Sequence, residues 1–135
     1  AMSYLVKMNE LCKENGVELI LVKAPSLYPY WYDEWEEQVE VFAKENDLKY
    51  YNFLKATDEI GLDFTEDTYD AGLHLNLSGA EKLSRYFGRI LSEECGIESR
   101  RGEAALEAQW DEKRQAYEAD RDAQYAEIGK NRNEE

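Results

Sequence analysis

Apolar residues near the start of the chain recur at helical spacing and then give way to a short continuous apolar run. The recurring positions predict one face of a helix: Tyr4, Leu5, Met8, Leu11 and Cys12. Asn15-Gly16 predicts the end of this helix, because glycine readily adopts the left-handed conformation that closes many helices. Residues 17–22 then predict a short strand of the kind buried in parallel sheets, and Ala24-Pro25 ends it.

The same succession of patterns occurs a second time along the chain. A second helix face is predicted by Trp35, Val39, Phe42 and Ala43, and residues 48–53 predict the strand that follows it. The helix ends also match, since the five-residue segments 13–17 and 44–48 have closely similar sequences. Two consecutive helix-then-strand steps predict an α/β fold, part of a doubly wound sheet with parallel strands.

The rest of the chain predicts a loop followed by two helices. Residues 57–70 predict an acidic loop, and Ser78 with Glu81 forms the sequence signature of a capped helix start. The buried face of that helix is predicted to contain Leu83, Phe87, Ile90 and Leu91. Residues 100–132 predict a long exposed helix whose thin apolar stripe contains Leu106, Trp110, Tyr117, Arg121, Tyr125 and Ile128. The predicted domains are therefore an α/β domain over residues 2–97 and a charged helical extension over residues 98–135.

The pattern predicts few strands for an α/β domain. Only two are clear, and a two-stranded sheet is marginally stable by itself in water. Residues 17–22 are also too apolar for an exposed edge strand. Two explanations remain open at this point. Further strands come from an N-terminal half that precedes these residues, or two copies of the chain pair edge to edge as a homo-oligomer.

Composition narrows the classes of partner. The formal net charge of −14 disfavours nucleic acid and anionic membrane surfaces, which are bound mainly through lysine and arginine. No apolar run is long enough to span a membrane, and no signal peptide is visible, so the sequence assigns no location. Cys12 and Cys95 are too few and too isolated for a disulfide framework or a zinc site, and no metal is expected.

The strongest candidate for chemistry is the segment around His74, which is the single histidine of the chain. Histidine is the natural general base near neutral pH. Asp70 lies four residues before it, and a carboxylate bound to one ring nitrogen fixes the tautomer and stabilises the imidazolium. The sequence therefore predicts a catalytic pair of His74 as base and Asp70 as orienting acid, with Asp67 as a second candidate for the acid.

In these residues the chain resembles the C-terminal half of the SGNH (GDSL-like) hydrolases. That family ends in an Asp-x-x-His block followed by a helix that opens with small polar residues; Asp70, His74, Asn76 and Ser78-Gly79-Ala80 correspond to these features. The resemblance covers residues 2–94. It implies a partial three-layer α/β/α, flavodoxin-like fold and the cleavage or transfer of acyl esters, including carbohydrate O-acetyl esters.

The sequence departs from the family at two points. The Asp-to-His spacing is one residue longer, so Asp70 reaches the imidazole only if Gly72 permits a tight turn. The Gly-Asp-Ser block that carries the family's nucleophile is absent, and so are its oxyanion blocks. A histidine–aspartate pair without an aligned serine has nothing to activate. The resemblance therefore implies the C-terminal portion of a hydrolase, inactive alone, whose serine lies upstream.

Four further residues are candidates for substrate binding. Ser26 lies where the first strand ends. It is either a residue of the binding site or an ordinary turn residue beside proline. Tyr28 and Trp31 follow it and border the acyl or sugar pocket, or they form a lid or a dimer contact. Asn76 lines the site or caps the next helix.

A second class of function competes with the hydrolase prediction. The incomplete sheet, the aromatic patch and the acidic tail helix also suit a non-enzymatic domain that homodimerises or binds a partner. A nucleotide or phosphate site is disfavoured, because Ala24-Pro25-Ser26-Leu27 is not the glycine-rich or hydroxyl-rich loop that such a site needs. No cofactor is expected.

Overall fold

The computed structural model describes residues 2–131, which form five helices and a two-stranded parallel sheet. In chain order the elements are α1 (Met2–Glu14), β1 (Ile20–Lys23), α2 (Asp33–Glu45), β2 (Lys49–Asn52), α3 (Thr57–Ile60), α4 (Leu77–Glu93) and α5 (Ala104–Asn131). The predicted mixed α/β character and the long C-terminal helix are confirmed. Arg132, the last residue of the predicted tail helix, lies outside the described residues, as does the side chain of Ile128.

The chain divides into two compact units, which we call unit 1 (Ala1–Glu59) and unit 2 (Ile60–Glu135). Unit 1 contains both helix-then-strand steps, and unit 2 contains the histidine segment with α4 and α5. The domain boundary predicted at residue 97 stays a prediction.

In unit 1 the two strands pair in parallel, with Ile20 opposite Lys49 and Lys23 opposite Asn52. Both strands are shorter than predicted, because residues 17–19, residue 48 and residue 53 lie outside the ladder. The prediction that residues 17–22 form a buried strand is wrong for Val22, whose side chain is 50% exposed. The reason is alternation along the strand: Leu21 points to the helices and is buried, whereas Val22 points to the opposite face.

The core of unit 1 lies between the sheet and its two helices. Leu21, Phe42 and Ala43 are buried together. Partly buried apolar side chains surround them, from α1 (Met2, Leu5), from α2 (Val39) and from the sheet and its approaches (Leu19, Leu48, Tyr50). The predicted α2 face is therefore confirmed except at Trp35, which is 43% exposed because it lies in the first turn, beyond the core.

The predicted acidic loop over residues 57–70 begins with the short helix α3, at the boundary between the two units. Helix α4 begins one residue earlier than predicted. Its cap is Asn76, whose side-chain oxygen accepts a hydrogen bond from the Gly79 N–H, so the prediction of Ser78 as cap is wrong. Asparagine and serine are equally good caps, and only the chain path into the helix decides between them.

Helix α5 is exposed along most of its length, as its composition predicts. It contacts α4 through two tyrosines, since the Tyr117 and Tyr125 hydroxyls each donate a hydrogen bond to the Glu81 carboxylate. Trp110, in the predicted apolar stripe, is 63% exposed. Among the described helices, α5 included, none is long and apolar enough to cross a membrane.

Candidate histidine–aspartate site

A tight turn between Asp70 and Leu73 brings Asp70 and His74 together although one more residue separates them than in the Asp-x-x-His motif. The Leu73 N–H donates to the Asp70 carbonyl oxygen at 3.3 Å, and both residues between them have positive φ, 54° at Ala71 and 95° at Gly72. Two successive positive φ values are typical of a type I′ turn, which favours glycine. The turn reverses the chain and returns His74 towards Asp70 despite the extra residue.

Asp70 holds His74 at two points. The Asp70 Oδ2 atom lies 2.5 Å from His74 Nδ1, and Asp70 Oδ1 accepts the His74 backbone N–H at 2.6 Å. An ionised carboxylate only accepts hydrogen bonds, so Nδ1 carries the proton of the neutral ring and Nε2 is its basic atom. Desolvation raises the pKa of Asp70, but the hydrogen bonds from the His74 ring and backbone outweigh it and lower the pKa overall.

The imidazole ring is supported on one side and open to solvent. The Tyr69 ring stacks on it with a centroid separation of 6.0 Å and an interplanar angle of 12°. The His74 side chain nevertheless remains 61% exposed. A ring that is both oriented and exposed can exchange a proton with a group brought to it from outside.

Hydrogen bonds fix the loop that contains Asp70 and His74 to the start of α4. An isolated antiparallel bridge joins Thr68 to Leu75, on either side of the turn. Beyond the bridge, the Asn76 N–H donates to the Asp67 carbonyl oxygen at 2.9 Å, and Asn76 Nδ2 donates to the Glu66 carbonyl at 2.7 Å. Asn76 therefore supports the loop and caps α4 with the same side chain.

Asp67 stabilises this loop through its own carboxylate contacts and does not orient the histidine. Its carboxylate is 1% exposed, bonds to Lys82 Nζ at 2.6 Å and accepts the Asp63 N–H at 2.9 Å. Desolvation raises the pKa of Asp67, but the hydrogen bonds from Lys82, Asp63 and Ser78 lower it overall. The Ser78 hydroxyl is therefore engaged with a carboxylate at the base of the loop.

Three predicted binding residues belong to unit 1. Ser26 lies in a turn, where its N–H donates to the Ala24 carbonyl at 2.8 Å and Lys23 Nζ lies 3.3 Å from its hydroxyl. Tyr28 is 59% exposed. The Trp31 indole N–H donates to Glu36 at 2.6 Å, and its ring packs edge-on against Trp35.

The sequence analysis did not single out Glu36, whose buried carboxylate has several hydrogen-bond donors. It is 4% exposed and accepts hydrogen bonds at Oε2 from the Trp31 indole, the Tyr50 hydroxyl and the Asn52 amide, at 2.6–2.7 Å. Lys55 Nζ bonds to Oε1 at 2.9 Å. A signal was present: Glu36 precedes Val39 by three residues and so lies on the apolar face of α2.

This Glu36 cluster has a clear electrostatic signature. Desolvation raises the pKa of Glu36, but the hydrogen bonds from Asn52, Lys55, Tyr50 and Trp31 together lower it to about 2. Burial and the bond to Glu36 raise the pKa of Tyr50. All donors meet a single ionised acceptor, which is the pattern of a structural charge rather than of a proton-transfer group.

No protein-family model, curated protein or solved structure matches this chain. Over residues 2–131, no group of three or more histidine, cysteine, aspartate or glutamate side chains is arranged to hold a metal ion. The catalytic assignment of His74 and Asp70 stays a prediction, as do the binding roles of Ser26, Tyr28, Trp31 and Asn76.

The geometry at His74 predicts its tautomer. In the neutral ring of the wild-type chain we expect the proton on Nδ1, because the ionised Asp70 accepts it. Replacing Asp70 with asparagine is expected to shift the ring towards the Nε2–H form, since an amide no longer favours a donor at Nδ1. Ring ¹⁵N chemical shifts above the titration range measure this directly. Asp58→Asn, on α3, is the control and leaves the shifts unchanged; a wild-type ring mainly in the Nε2–H form contradicts the assignment.

Proposed function

We propose that this chain is the C-terminal portion of an SGNH-type acyl-ester hydrolase and supplies its base and orienting acid. The observation that carries the proposal is the double hold of Asp70 on His74, at ring Nδ1 and at the backbone N–H. Part of the proposal is that α1 to β2 belong to a larger three-layer, flavodoxin-like α/β/α domain. The parallel pairing of β1 and β2 across a helical connection supports this.

In this mechanism His74 Nε2 takes the proton of a serine hydroxyl while the serine oxygen attacks the ester carbonyl carbon. Asp70 remains ionised and stabilises the imidazolium, which its lowered pKa supports. The tetrahedral intermediate collapses, the ester C–O bond breaks, and the Nε2 proton passes to the leaving alkoxide. Water then repeats the sequence on the acyl-enzyme, and the serine is regenerated.

The nucleophile of this mechanism lies outside the chain. No Gly-Asp-Ser block occurs in the sequence, and the Ser78 hydroxyl is bound to Asp67. Without preorganised donors for the oxyanion, acyl transfer also loses its largest source of stabilisation. The chain alone is therefore expected to be inactive. A completed enzyme would act on a small-molecule or carbohydrate ester, and the exposed ring of Tyr28 suits contact with a sugar.

A fluorophosphonate serine probe tests the proposal. We expect no adduct from the 135-residue chain when circular dichroism shows it to be folded. The chain extended by its upstream encoded segment is expected to be labelled on a serine of that segment. His74→Ala is expected to abolish this labelling, and Asp58→Asn is the control that retains it.

Two results would count against the proposal. An extended chain that is folded but never labelled contradicts the hydrolase assignment. A His74-dependent adduct on Ser26 of the short chain shows instead that a complete site is already present, and contradicts the upstream nucleophile.

A second candidate function is homodimeric assembly without catalysis. The exposed aromatic residues of α5 favour it, since Trp110 is 63% and Tyr117 46% exposed. Exposed aromatic surface of this kind often marks a protein contact. Light scattering would support assembly if the chain is a dimer that Trp110→Ala dissociates, and a folded monomer at high concentration would exclude it.

A further inference from the structure

Strand β1 has one paired edge and one open edge. The Phe53 N–H donates to the Lys23 carbonyl at 3.0 Å, which sets the phase of the parallel ladder. In such a ladder alternate residues direct both backbone polar groups to the same neighbour. Leu21 and Lys23 therefore face β2, and the backbone groups of Ile20 and Val22 point away from it. Within residues 2–131 no other strand pairs on that side.

The two strands differ in composition in the way that central and edge strands differ. Strand β1 has the sequence Ile-Leu-Val-Lys, whereas β2 has Lys-Tyr-Tyr-Asn. Continuous apolar runs are typical of strands that have neighbours on both sides, and polar ends are typical of edge strands. The sequences thus assign β2 to the rim of the sheet and β1 to its interior.

Helices α1 and α2 lie on the same face of this sheet. Met2 and Leu5 of α1 pack on the core that contains Leu21 and the α2 residue Phe42. The middle of α1 also bonds to the C-terminal end of α2, since Asn9 Nδ2 donates to Oδ1 of Asn46, the C-cap of α2, at 2.9 Å. Asn9 is 4% exposed, so this contact is part of the interior of unit 1.

The handedness of the crossover connections indicates which strand would pair with the open edge of β1. Crossovers between parallel strands are right-handed in about 98% of cases. The connection β1–α2–β2 places β2 on one side of β1. By the same rule, a parallel strand that connected to β1 through α1, which lies on the same face as α2, would lie on the other side of β1. We infer that a parallel strand encoded directly before α1 pairs with the open edge of β1.

This inference uses unit 1 alone and stands whether or not His74 acts in acyl transfer. A second copy is a poorer occupant. Two copies related by a two-fold axis would pair their β1 edges antiparallel. That arrangement gives α1 no strand to connect with β1, although α1 is packed in the crossover position.

Amide hydrogen exchange, followed by NMR, tests this inference. The 135-residue chain is compared with the chain extended by the residues its gene encodes directly before Ala1. We expect the Val22 and Ile20 amides to exchange at least ~100-fold more slowly in the extended chain, because a new strand accepts their hydrogen bonds. The Leu21 and Lys23 amides, which face β2 in both chains, are the internal control and retain their protection.

Three outcomes overturn the inference. The Val22 amide exchanges equally fast in both folded chains, or the gene encodes no segment before α1. Alternatively, the short chain already protects Val22 in a concentration-dependent manner, which identifies a second copy as the occupant. None of these outcomes depends on labelling of a nucleophile, so failure here is distinct from failure of the proposed function.

Discussion

Replacing Glu36 with glutamine is expected to destabilise unit 1 by about 3 kcal/mol at neutral pH. Glutamine has nearly the same shape, but it replaces one oxygen with a donor group and removes the charge. The Trp31 indole, the Tyr50 hydroxyl and the Asn52 amide then compete for a weaker acceptor, and the ion pair between Lys55 and residue 36 is lost. Leaving buried donors poorly satisfied costs more than the hydrogen bonds themselves contribute.

The pH dependence of this effect has a definite sign. The pKa of Glu36 is about 2 in the folded chain, below its ordinary value of 4.5. A group whose pKa is lowered by folding stabilises the protein above its unfolded pKa, and the stabilisation is lost as pH falls towards the folded pKa. The difference between wild type and Glu36→Gln is therefore expected to be full above about pH 5 and to shrink towards zero near pH 2.

Urea unfolding followed by tryptophan fluorescence measures both effects. Trp110 lies in unit 2 and is exposed, so a Trp110→Phe background restricts the emission to Trp31 and Trp35 of unit 1. Glu37→Gln is the matched control, because Glu37 neighbours Glu36 on α2 but is exposed. A loss of stability in Glu36→Gln that equals the loss in Glu37→Gln, or that does not change with pH, would refute the assignment.

Replacing Gly79 with alanine is expected to destabilise unit 2 by about 1–3 kcal/mol and to displace the loop that carries His74. A β-carbon at this position would lie 2.5 Å from the Asp67 carbonyl oxygen and 3.0 Å from both the Asp67 Cβ and the Leu75 side chain. The closest of these atoms is backbone, which cannot move without moving the loop. Asn76 donates its N–H to the same carbonyl oxygen, so the helix cap is disturbed as well.

Gly88→Ala is the control for this variant, because Gly88 lies on the same helix and a β-carbon there meets no atom within 4 Å. It is expected to stabilise α4 by up to about 1 kcal/mol, since alanine is a better helix former than glycine. Thermal unfolding by circular dichroism compares the two, and the His74 ring ¹⁵N shifts report the loop. Equal stability of the two variants, with an unchanged His74 signal, would show that the close approach at Gly79 is unimportant.

Much of the fold could be predicted because its signals are local. The spacing of Leu5, Met8 and Leu11 predicts α1, Gly16 predicts its end, and the apolar run after it predicts a strand. The exposed character of α5 follows likewise from its composition. These features depend on backbone conformation and on the spacing of apolar residues, which a linear pattern contains, although Met8 and Leu11 remain exposed in the structure.

The sequence predicts which residues make up the candidate site but not their geometry. The pairing of Asp70 with His74 follows from their proximity and chemistry, and the single residue Gly72 indicates a turn between them. Three features depend on the three-dimensional path of the loop. These are the two hydrogen bonds from His74 to the Asp70 carboxylate, the stacking of Tyr69 on the imidazole and the capping of α4 by Asn76. That path is set by Asp67 and Lys82, fifteen residues apart in the sequence.

The sequence by itself determined the four long helices, the two strands and the candidate histidine–aspartate pair, because each of these follows from spacing along the chain, whereas the short helix α3 was predicted as loop. The tertiary structure alone decided that Glu36 is buried and ionised, that Asp67 serves as an anchor, and which edge of β1 is open. Each of these depends on groups from different elements meeting in space. A charged residue on a helix can be buried only where other elements supply its donors, and here β2 and Lys55 supply them.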